Sequence, residues 1–390
     1  MTATTILDNI CVVDMTSVLL GPYCTRTLAD LGADIVKVEP KSGDIIRLVG
    51  QHRHSREQGP THLNLNRGKR CVDWDMKTDL GKEAMRRLLK KSDIFIHNIR
   101  PNAIDRLGLS FEQVKAIKPD IIYVHCLGFS PEGPYAGQPA YDDIIQALAG
   151  YTDLSSIVDG SGEKKFIPTA IADKVTGLHA VYATLAAIIQ RDKTKESVHV
   201  EVPMMECATS FILTEHFDSA TLEPPTGEFG YERQLDPTRQ PYRTKDGWVV
   251  VAPYSDDRWL KIFEVFGAPE LLVDDRFSDF HARRANRSLL QEMIAPFIEK
   301  YSTNEILALM NEADIPAANA NTLEDLKTDP HLVEIDFFQK REHPTEGFYW
   351  ETQPPVNFKG IKTKQTAHAS SIGQDNEIIL EELGLSNYNK

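Results

Sequence analysis

The chain has 390 residues, of which 41% are apolar and 26% charged, and its formal net charge is −14 at pH 7. A chain of this length is longer than one hydrophobic core usually supports, which predicts two domains. The acidic balance argues against general nucleic-acid binding, which requires a basic surface. The five cysteines are widely spaced without a CxxC pair, and neither a signal-peptide pattern nor an apolar run of membrane-spanning length is present. We therefore expect a soluble, cytoplasmic protein without a disulfide framework or zinc knuckle.

The first half of the chain alternates short apolar strands with helices. The hydrophobic pattern predicts strands over residues 10–14, 34–39, 70–74, 93–97, 120–126 and 197–202. It predicts helices over residues 22–31, 80–90, 111–117, 142–150 and 173–191. Repeated βαβ units of this kind indicate an α/β fold with an open, parallel, Rossmann-like sheet covered by helices, over residues 1–203.

The composition changes near residue 220, where a turn-rich segment predicts a linker over residues 204–227. A smaller α+β domain is expected over residues 228–329, with a hairpin at 241–248 and helices at 257–266, 288–300 and 303–313. A second linker is expected over residues 330–350. Residues 351–390, with an extended region at 354–359 and a helix at 377–383, are too few for a core and are expected to return to the large domain.

Several common catalytic signatures are missing. The turn after the first strand lacks GxGxxG, and neither a P-loop nor GxSxG occurs, which disfavours nicotinamide, nucleotide-hydrolysis and serine-nucleophile chemistry. His125 and Cys126 are adjacent on a strand and face opposite sides, so a buried structural cysteine is the better interpretation. Three histidines near residues 52–62 are more typical of a polar loop than of a metal site, and no metal is expected: His52, His54 and His62.

Asp173 is placed at the start of the longest predicted helix. Free N–H groups and the helix macrodipole stabilise a carboxylate there by about 0.3–1 kcal/mol, which would keep it ionised as a nucleophile must be. An ordinary helix cap uses the same residue type at the same position. From its position alone, Asp173 is better interpreted as a helix cap than as a nucleophile.

An ordered series of motifs gives Asp173 a second interpretation. The chain resembles the class III CoA-transferases, the CaiB/BaiF family, in which a small residue, an aspartate, a short spacer and a glycine open a helix. The matching segments are Gly21-Pro22, 28–34, 36–40, Gly43-Asp44, Arg47, 66–70, 98–101, 106–108, 133–135, Tyr141-Asp142, 172–177 and 243–248. Each is weak alone, but their order extends through most of the chain.

The resemblance implies that Asp173 is the nucleophile and that coenzyme A is a substrate, with no permanently bound cofactor. It also implies an interlocked homodimer acting on an acyl-CoA and a carboxylic acid, without nucleic acid or membrane partners. Pro40 stands where some relatives carry an arginine, so one contact with the base is expected to be lost. The CoA contacts that the resemblance implies are Val18, Leu19, Lys77, Asn98, Ile99, Arg100, Arg106, Pro139, Ala140, Tyr141 and Asp142.

Two alternatives remain beside a CoA-transferase: a 2-methylacyl-CoA racemase and a non-catalytic CoA-binding protein. Racemases of this family carry a histidine where this chain has Tyr141, and a phenol with a pKa of about 10 is a poor base at neutral pH. Residues 230–237 lack the glycine run of the formyl-CoA and oxalate branch, so formate and oxalate are less expected. Arg233, Arg239 and Arg243 are candidates to receive a second carboxylate of the acceptor.

Overall fold

The computed structural model describes residues 5–361 and 366–386. Its chain divides into two compact units, one of residues 1–152, 166–214 and 336–390 and the other of residues 153–165 and 215–335. The larger unit contains a six-stranded parallel sheet in the order β3-β2-β1-β4-β5-β6. Its strands are β1 Cys11–Met15, β2 Asp34–Val38, β3 Lys69–Val72, β4 Ile94–His97, β5 Ile122–Leu127 and β6 Val198–Pro203. The predicted open parallel sheet is confirmed.

Helices follow the strands of this sheet along the chain. They are α1 Leu20–Asp30, α2 Pro60–Asn66, α3 Asp79–Lys91, α4 Pro101–Arg106, α5 Phe111–Ile117, α6 Asp142–Leu148, α7 Tyr151–Asp159, α8 Ile171–Thr194 and α9 Met204–His216. Strands β4 and β5 are buried at every position, as expected for a parallel sheet with helices on both faces. Within the described residues, no helix combines the length and apolarity needed to cross a membrane.

The smaller unit is α+β, as predicted. Its elements are α10 Glu232–Leu235, β7 Tyr242–Arg243, β8 Trp248–Val251, α11 Asp256–Val265, α12 Phe280–Ala285, α13 Arg287–Ile298, α14 Thr303–Glu312, β9 Ala317–Asn319 and α15 Pro330–Glu334. Strands β7, β8 and β9 form an antiparallel sheet, and the 241–248 hairpin forms as expected. Phe263, Ile294 and Ile306 are buried in a core of this unit's own.

The C-terminal part of the chain adds β10 Phe338–His343, β11 Gly347–Thr352 and α16 Asn376–Glu382. Ile379 of α16 is fully buried in the same hydrophobic cluster as Val13 of β1 and Phe95 of β4. This cluster therefore joins the last helix to the sheet of the larger unit.

The structure differs from the expected linkers. Residues 204–227 begin with α9, and residues 330–350 include α15 and most of the β10–β11 hairpin. The hairpin was missed because its charged residues hide the strand pattern, although Arg341 and Glu351 pair across the two strands at 3.3 Å. Residues 354–359, expected to be extended, contain no strand.

Candidate active site

Two neighbouring loops at the carboxyl edge of the sheet carry many of the predicted CoA contacts. The chain runs outward from β1 to β2 and β3 and then returns to β4 on the other side of β1. Open α/β sheets bind ligands at such a switch point. The Ser17 N–H donates to Asn98 Oδ1 at 3.0 Å, and Asn98 Nδ2 donates to Ser17 O at 2.9 Å. This reciprocal pair ties the loop after β1 to the loop after β4.

The loop after β1 holds an unfavourable backbone conformation. Val18 has φ of 67°, which a β-branched residue rarely adopts and which costs about 1–3 kcal/mol. Its N–H donates to the carboxylate of Asp44 at 3.1 Å. Buried Lys37 lies 3.1 Å from that carboxylate and donates to Thr16 O at 2.7 Å. The Lys37–Asp44 ion pair therefore supports the loop that presents Val18 and Leu19.

The segment after β4 is held by two histidines on neighbouring strands. The Ile99 N–H donates to His97 Nδ1 at 3.2 Å, and His125 Nε2 lies 2.9 Å from Ile99 O. Because His97 Nδ1 accepts a hydrogen bond, the ring proton is on Nε2, which donates to the hydroxyl oxygen of Tyr123 at 2.7 Å. The Tyr123 hydroxyl in turn donates to Leu109 O. Burial lowers the pKa of His97 well below its ordinary value and that of His125 to about 4. Both rings are neutral at pH 7 and position the backbone of Ile99.

Three exposed cations lie in the segments after β3 and β4. Lys77 follows the edge strand β3, Arg100 precedes α4, and Arg106 lies in the last turn of α4. None of the three pairs with a carboxylate in the described part of the chain. Unpaired arginines and lysines suit phosphate groups.

The predicted strip over residues 139–142 begins against the end of β5. A Cβ on Gly128 would lie 2.4 Å from Ala140 Cβ, so only glycine there allows the strip to pass. Pro139 is exposed and Ala140 half-buried. Tyr141 is 67% exposed and immediately precedes α6.

Asp142 lies at the start of α6 and reaches the catalytic candidate. Its Oδ1 accepts the backbone N–H of Asp173 at 3.0 Å, and its Oδ2 accepts from Gln146 at 2.6 Å. Buried Gln146 also accepts the N–H of Ile167 at 2.9 Å and donates to Thr169 O at 3.2 Å. Gln146 therefore fixes the segment that leads into α8. Sequence analysis missed it; the available signal was its spacing of one helical turn from Asp142.

The Asp173 carboxyl has a perturbed acidity. It is half-buried, and no side chain or backbone group of the described residues donates a hydrogen bond to it. Burial, followed by the charges of Asp142 and Asp143, raises its pKa from 3.8 to about 7. The helix start was expected to favour the ionised form of Asp173, but desolvation and two neighbouring carboxylates outweigh the macrodipole and raise the pKa, so that ionised and protonated forms coexist at neutral pH.

The N–H groups of the first turn of α8 are largely occupied. Those of Ile171, Asp173 and Lys174 bond to Thr169 O, Asp142 Oδ1 and Ala170 O. The free N–H groups that were expected to stabilise a charge on Asp173 are therefore reduced in number.

Gly177 allows α8 to approach α1 closely. A Cβ at this position would lie 2.9 Å from Leu20 O and 3.0 Å from Cδ1 of Tyr23. Gly177 lies one helical turn after Asp173, so this contact sets the position of the first turn of α8 relative to the loop that precedes α1.

The other candidates for chemistry are engaged elsewhere. Burial raises the pKa of Cys126 well above its ordinary value, so no thiolate forms at neutral pH. The ring of His52 bonds to Arg47 O at 2.9 Å, and the ring of buried His62 bonds to the side chain of Asn66 at 3.0 Å. His54 donates its backbone N–H to the carboxylate of Glu346. Among residues 5–361 and 366–386, no three histidine, cysteine or carboxylate side chains converge as metal ligands.

Comparisons with known proteins identify the family of the chain. Residues 7–376 match the model of CoA-transferase family III. The chain belongs to CoA-transferase family III. It is 31% identical over 346 residues to a succinyl-CoA:mesaconate CoA-transferase of Haloarcula hispanica, covering 87% of this chain and 86% of the relative. It is 28% identical over 408 residues to a formyl-CoA:oxalate CoA-transferase of Shigella boydii, covering 97% of this chain and 96% of that protein.

A solved structure extends the likeness to the fold. A CaiB/BaiF family protein from Brucella suis matches with a TM-score of 0.83 and 29% identity, covering 97% of this chain and 99% of the other. The protein is thus an enzyme of the CoA-transferase class, and the family predicted from the motif series is confirmed.

Proposed function

We propose that this family III CoA-transferase moves CoA from an acyl-CoA donor to a carboxylic acid through an aspartyl mixed anhydride on Asp173. The observation that carries the proposal is the state of the Asp173 carboxyl, which is half-buried, receives no hydrogen bond from the described protein and has a pKa raised to about 7. A more basic carboxylate is a stronger nucleophile, and a substantial fraction is ionised at neutral pH.

The reaction divides into acyl transfers that return Asp173 unchanged. An Asp173 oxygen attacks the donor thioester carbonyl, the C–S bond breaks and CoA leaves as a thiolate, giving a mixed anhydride. The thiolate attacks the aspartyl carbonyl and releases the donor acid, which leaves an aspartyl-CoA thioester. The acceptor carboxylate attacks that thioester and frees CoA thiolate, which then attacks the acceptor acyl carbonyl and releases Asp173.

The CoA moiety is assigned to the switch point of the sheet. The nucleotide would contact Val18 and Leu19, the pantetheine would follow Asn98 and Ile99, and Lys77, Arg100 and Arg106 would hold phosphates. Pro139, Ala140, Tyr141 and Asp142 would lead the thioester to Asp173. Hydrogen bonds to Asp44, His97 and His125 that hold both loops before any ligand arrives support this assignment.

We infer a dicarboxylate as the acceptor class, because mesaconate and oxalate, which appear in the names of two relatives, each carry two carboxylates. Succinyl-CoA is the first donor to test, since it appears in one of these names. Incubating the enzyme with succinyl-CoA and a panel of mono- and dicarboxylic acids, with mass-spectrometric detection of new thioesters, measures the preference. Equal rates with monocarboxylates would contradict the inference.

Hydroxylamine tests the covalent mechanism. With donor acyl-CoA it should convert Asp173 into a hydroxamate, detected by mass spectrometry of its peptide, and Asp173→Asn should abolish CoA exchange while retaining CoA binding. Asp8→Asn, at an exposed carboxylate, is the matched control. An active enzyme with no modification on Asp173 would refute the mechanism.

A homodimer is also proposed. Helix α8 exposes an apolar stripe formed by Leu178, Tyr182 and Ile189, which are 50%, 59% and 58% exposed. These residues are four and seven positions apart, so they lie on one face of the helix. A second copy of the chain would cover this stripe, and the interlocked arrangement belongs to the same proposal. Light scattering of the full chain gives the oligomeric state; a monomer at micromolar concentration would contradict it.

A further inference from the structure

The smaller unit contains a cavity lined by two of the arginines singled out in the sequence, Arg233 and Arg239. Its volume is about 540 Å³, within the range of small-molecule sites. Five arginines lie in its wall: Arg233, Arg239, Arg283, Arg284 and Arg287. No aspartate, glutamate or lysine is among the described residues that line it. The whole chain has a net charge of −14, whereas the residues lining this cavity carry only positive charges, which favours binding of an anion.

Three of these arginines already have carboxylate partners. Arg283 is buried, pairs with Asp256 and donates to Phe277 O at 2.7 Å. Arg284 lies 3.5 Å from Glu232, and Arg287 lies 4.0 Å from Asp236. These pairs hold the wall together and cancel three of the five positive charges.

Arg233 and Arg239 remain without a carboxylate partner in the described part of the chain. The guanidinium of Arg233 lies over the ring of Tyr254 at 5.1 Å, a cation–π contact that orients it. Arg239 is exposed in the segment between α10 and β7. Because three of the five arginines are paired with carboxylates, the cavity wall keeps two positive charges, those of Arg233 and Arg239.

The rest of the wall is apolar and aromatic. Trp259 and Phe280 contribute rings, and Val250 and Leu290 contribute aliphatic side chains. Flat hydrophobic groups stack on rings and guanidinium planes, while carboxylates and phosphates form bidentate pairs with arginine. A suitable ligand therefore combines a flat or apolar body with negative charge.

We propose that this cavity is a binding site for a flat or apolar small molecule that carries two negative charges, which Arg233 and Arg239 receive. Arg243, the third arginine singled out in the sequence, lies on β7 and does not line the cavity. The site is defined by the smaller unit alone and its occupancy does not depend on the chemistry of Asp173.

Calorimetric titration of full-length Asp173→Asn with terephthalate tests the site without turnover. We expect one molecule bound per chain, and at least tenfold weaker binding in Arg233→Gln and in Arg239→Gln, because each loses a charge-assisted bidentate pair. Benzoate, with one carboxylate, and glutarate, without a ring, should each bind more weakly. Arg258→Gln is the matched control, because Arg258 belongs to the same unit and pairs with Asp314 outside the cavity wall.

The outcomes separate the sources of the dianion. Tighter binding of phenyl phosphate than of terephthalate, with the same dependence on Arg233 and Arg239, supports the site and assigns it to phosphate esters. Tighter binding of terephthalate supports it and assigns it to dicarboxylates. No binding at millimolar concentration, equal affinity in the glutamine variants, or displacement by CoA would overturn the proposal.

Discussion

Asp173→Asn is expected to stabilise the protein at alkaline pH while abolishing activity. The pKa of Asp173 rises from an ordinary 3.8 to about 7 in the folded chain. A group whose pKa is raised by folding stabilises the native state while it is protonated, and this stabilisation is lost as the pH rises through the folded pKa. Asparagine resembles the neutral acid at every pH and avoids the loss.

The magnitude follows from the pKa difference. Between 3.8 and about 7, at about 1.4 kcal/mol per pH unit, the ionised carboxylate lowers the free energy of unfolding by about 4 kcal/mol at pH 8. At pH 5 the same relation lowers the free energy of unfolding by about 1.7 kcal/mol, because Asp173 in the unfolded chain is already ionised while the folded group is protonated. The advantage of Asp173→Asn should thus grow by about 2.6 kcal/mol between pH 5 and pH 8.

Urea unfolding of both proteins at pH 5 and pH 8, at one fixed protein concentration, measures this difference. Asp8→Asn is the control, and its stability relative to the wild type should change little between the two pH values. An Asp173→Asn variant whose advantage stays constant with pH, or that is less stable than the wild type at pH 8, would refute the raised pKa of Asp173.

The remaining predictions concern turnover. The kcat/KM for CoA exchange should rise with pH and level off above about pH 7, because only ionised Asp173 attacks, and Asp143→Asn should move the midpoint to lower pH. Gly177→Ala should lower kcat at least tenfold, because its Cβ would lie 2.9 Å from Leu20 O and displace the catalytic turn. Asn98→Ala should raise the KM for acyl-CoA more than it lowers kcat, since it frees the loop of Ser17. The enzyme should not exchange the α-proton of 2-methylacyl-CoA.

Matched measurements keep these predictions testable. Gln190 is exposed on α8, so Gln190→Ala should leave kcat unchanged, in contrast to Gly177→Ala. A pH-independent kcat/KM between pH 5 and pH 8, or an Asn98→Ala variant with unaltered KM, would count against the assigned roles. Rapid deuterium uptake at C2 of one 2-methylacyl-CoA enantiomer in deuterated water, with loss of optical purity, would favour a racemase.

Local patterns were sufficient for much of the larger unit. Short apolar runs, and an alternating pattern at residues 197–202, predicted all six parallel strands, and the position of Asp173 at the start of a long helix was correct within two residues. For β4 and β5, which are buried at every position, the signal is a continuous apolar run, because burial on both faces of a parallel sheet demands apolar side chains throughout. The β10–β11 hairpin escaped because the charged residues along its two strands hide the alternation that would mark them, and α9 escaped because it lies in a stretch interpreted as a linker.

The sequence alone determined the family, the candidate nucleophile and the order of the segments that are predicted to contact CoA. Only the tertiary structure decided the acidity of Asp173, because it depends on burial and on Asp142, a residue 31 positions earlier that bonds to its N–H. The same holds for the pairing of Ser17 with Asn98 and for the two cavity arginines that have no carboxylate partner among the described residues. Charge and desolvation act through space, so residues that are distant in sequence decide the chemistry of each site.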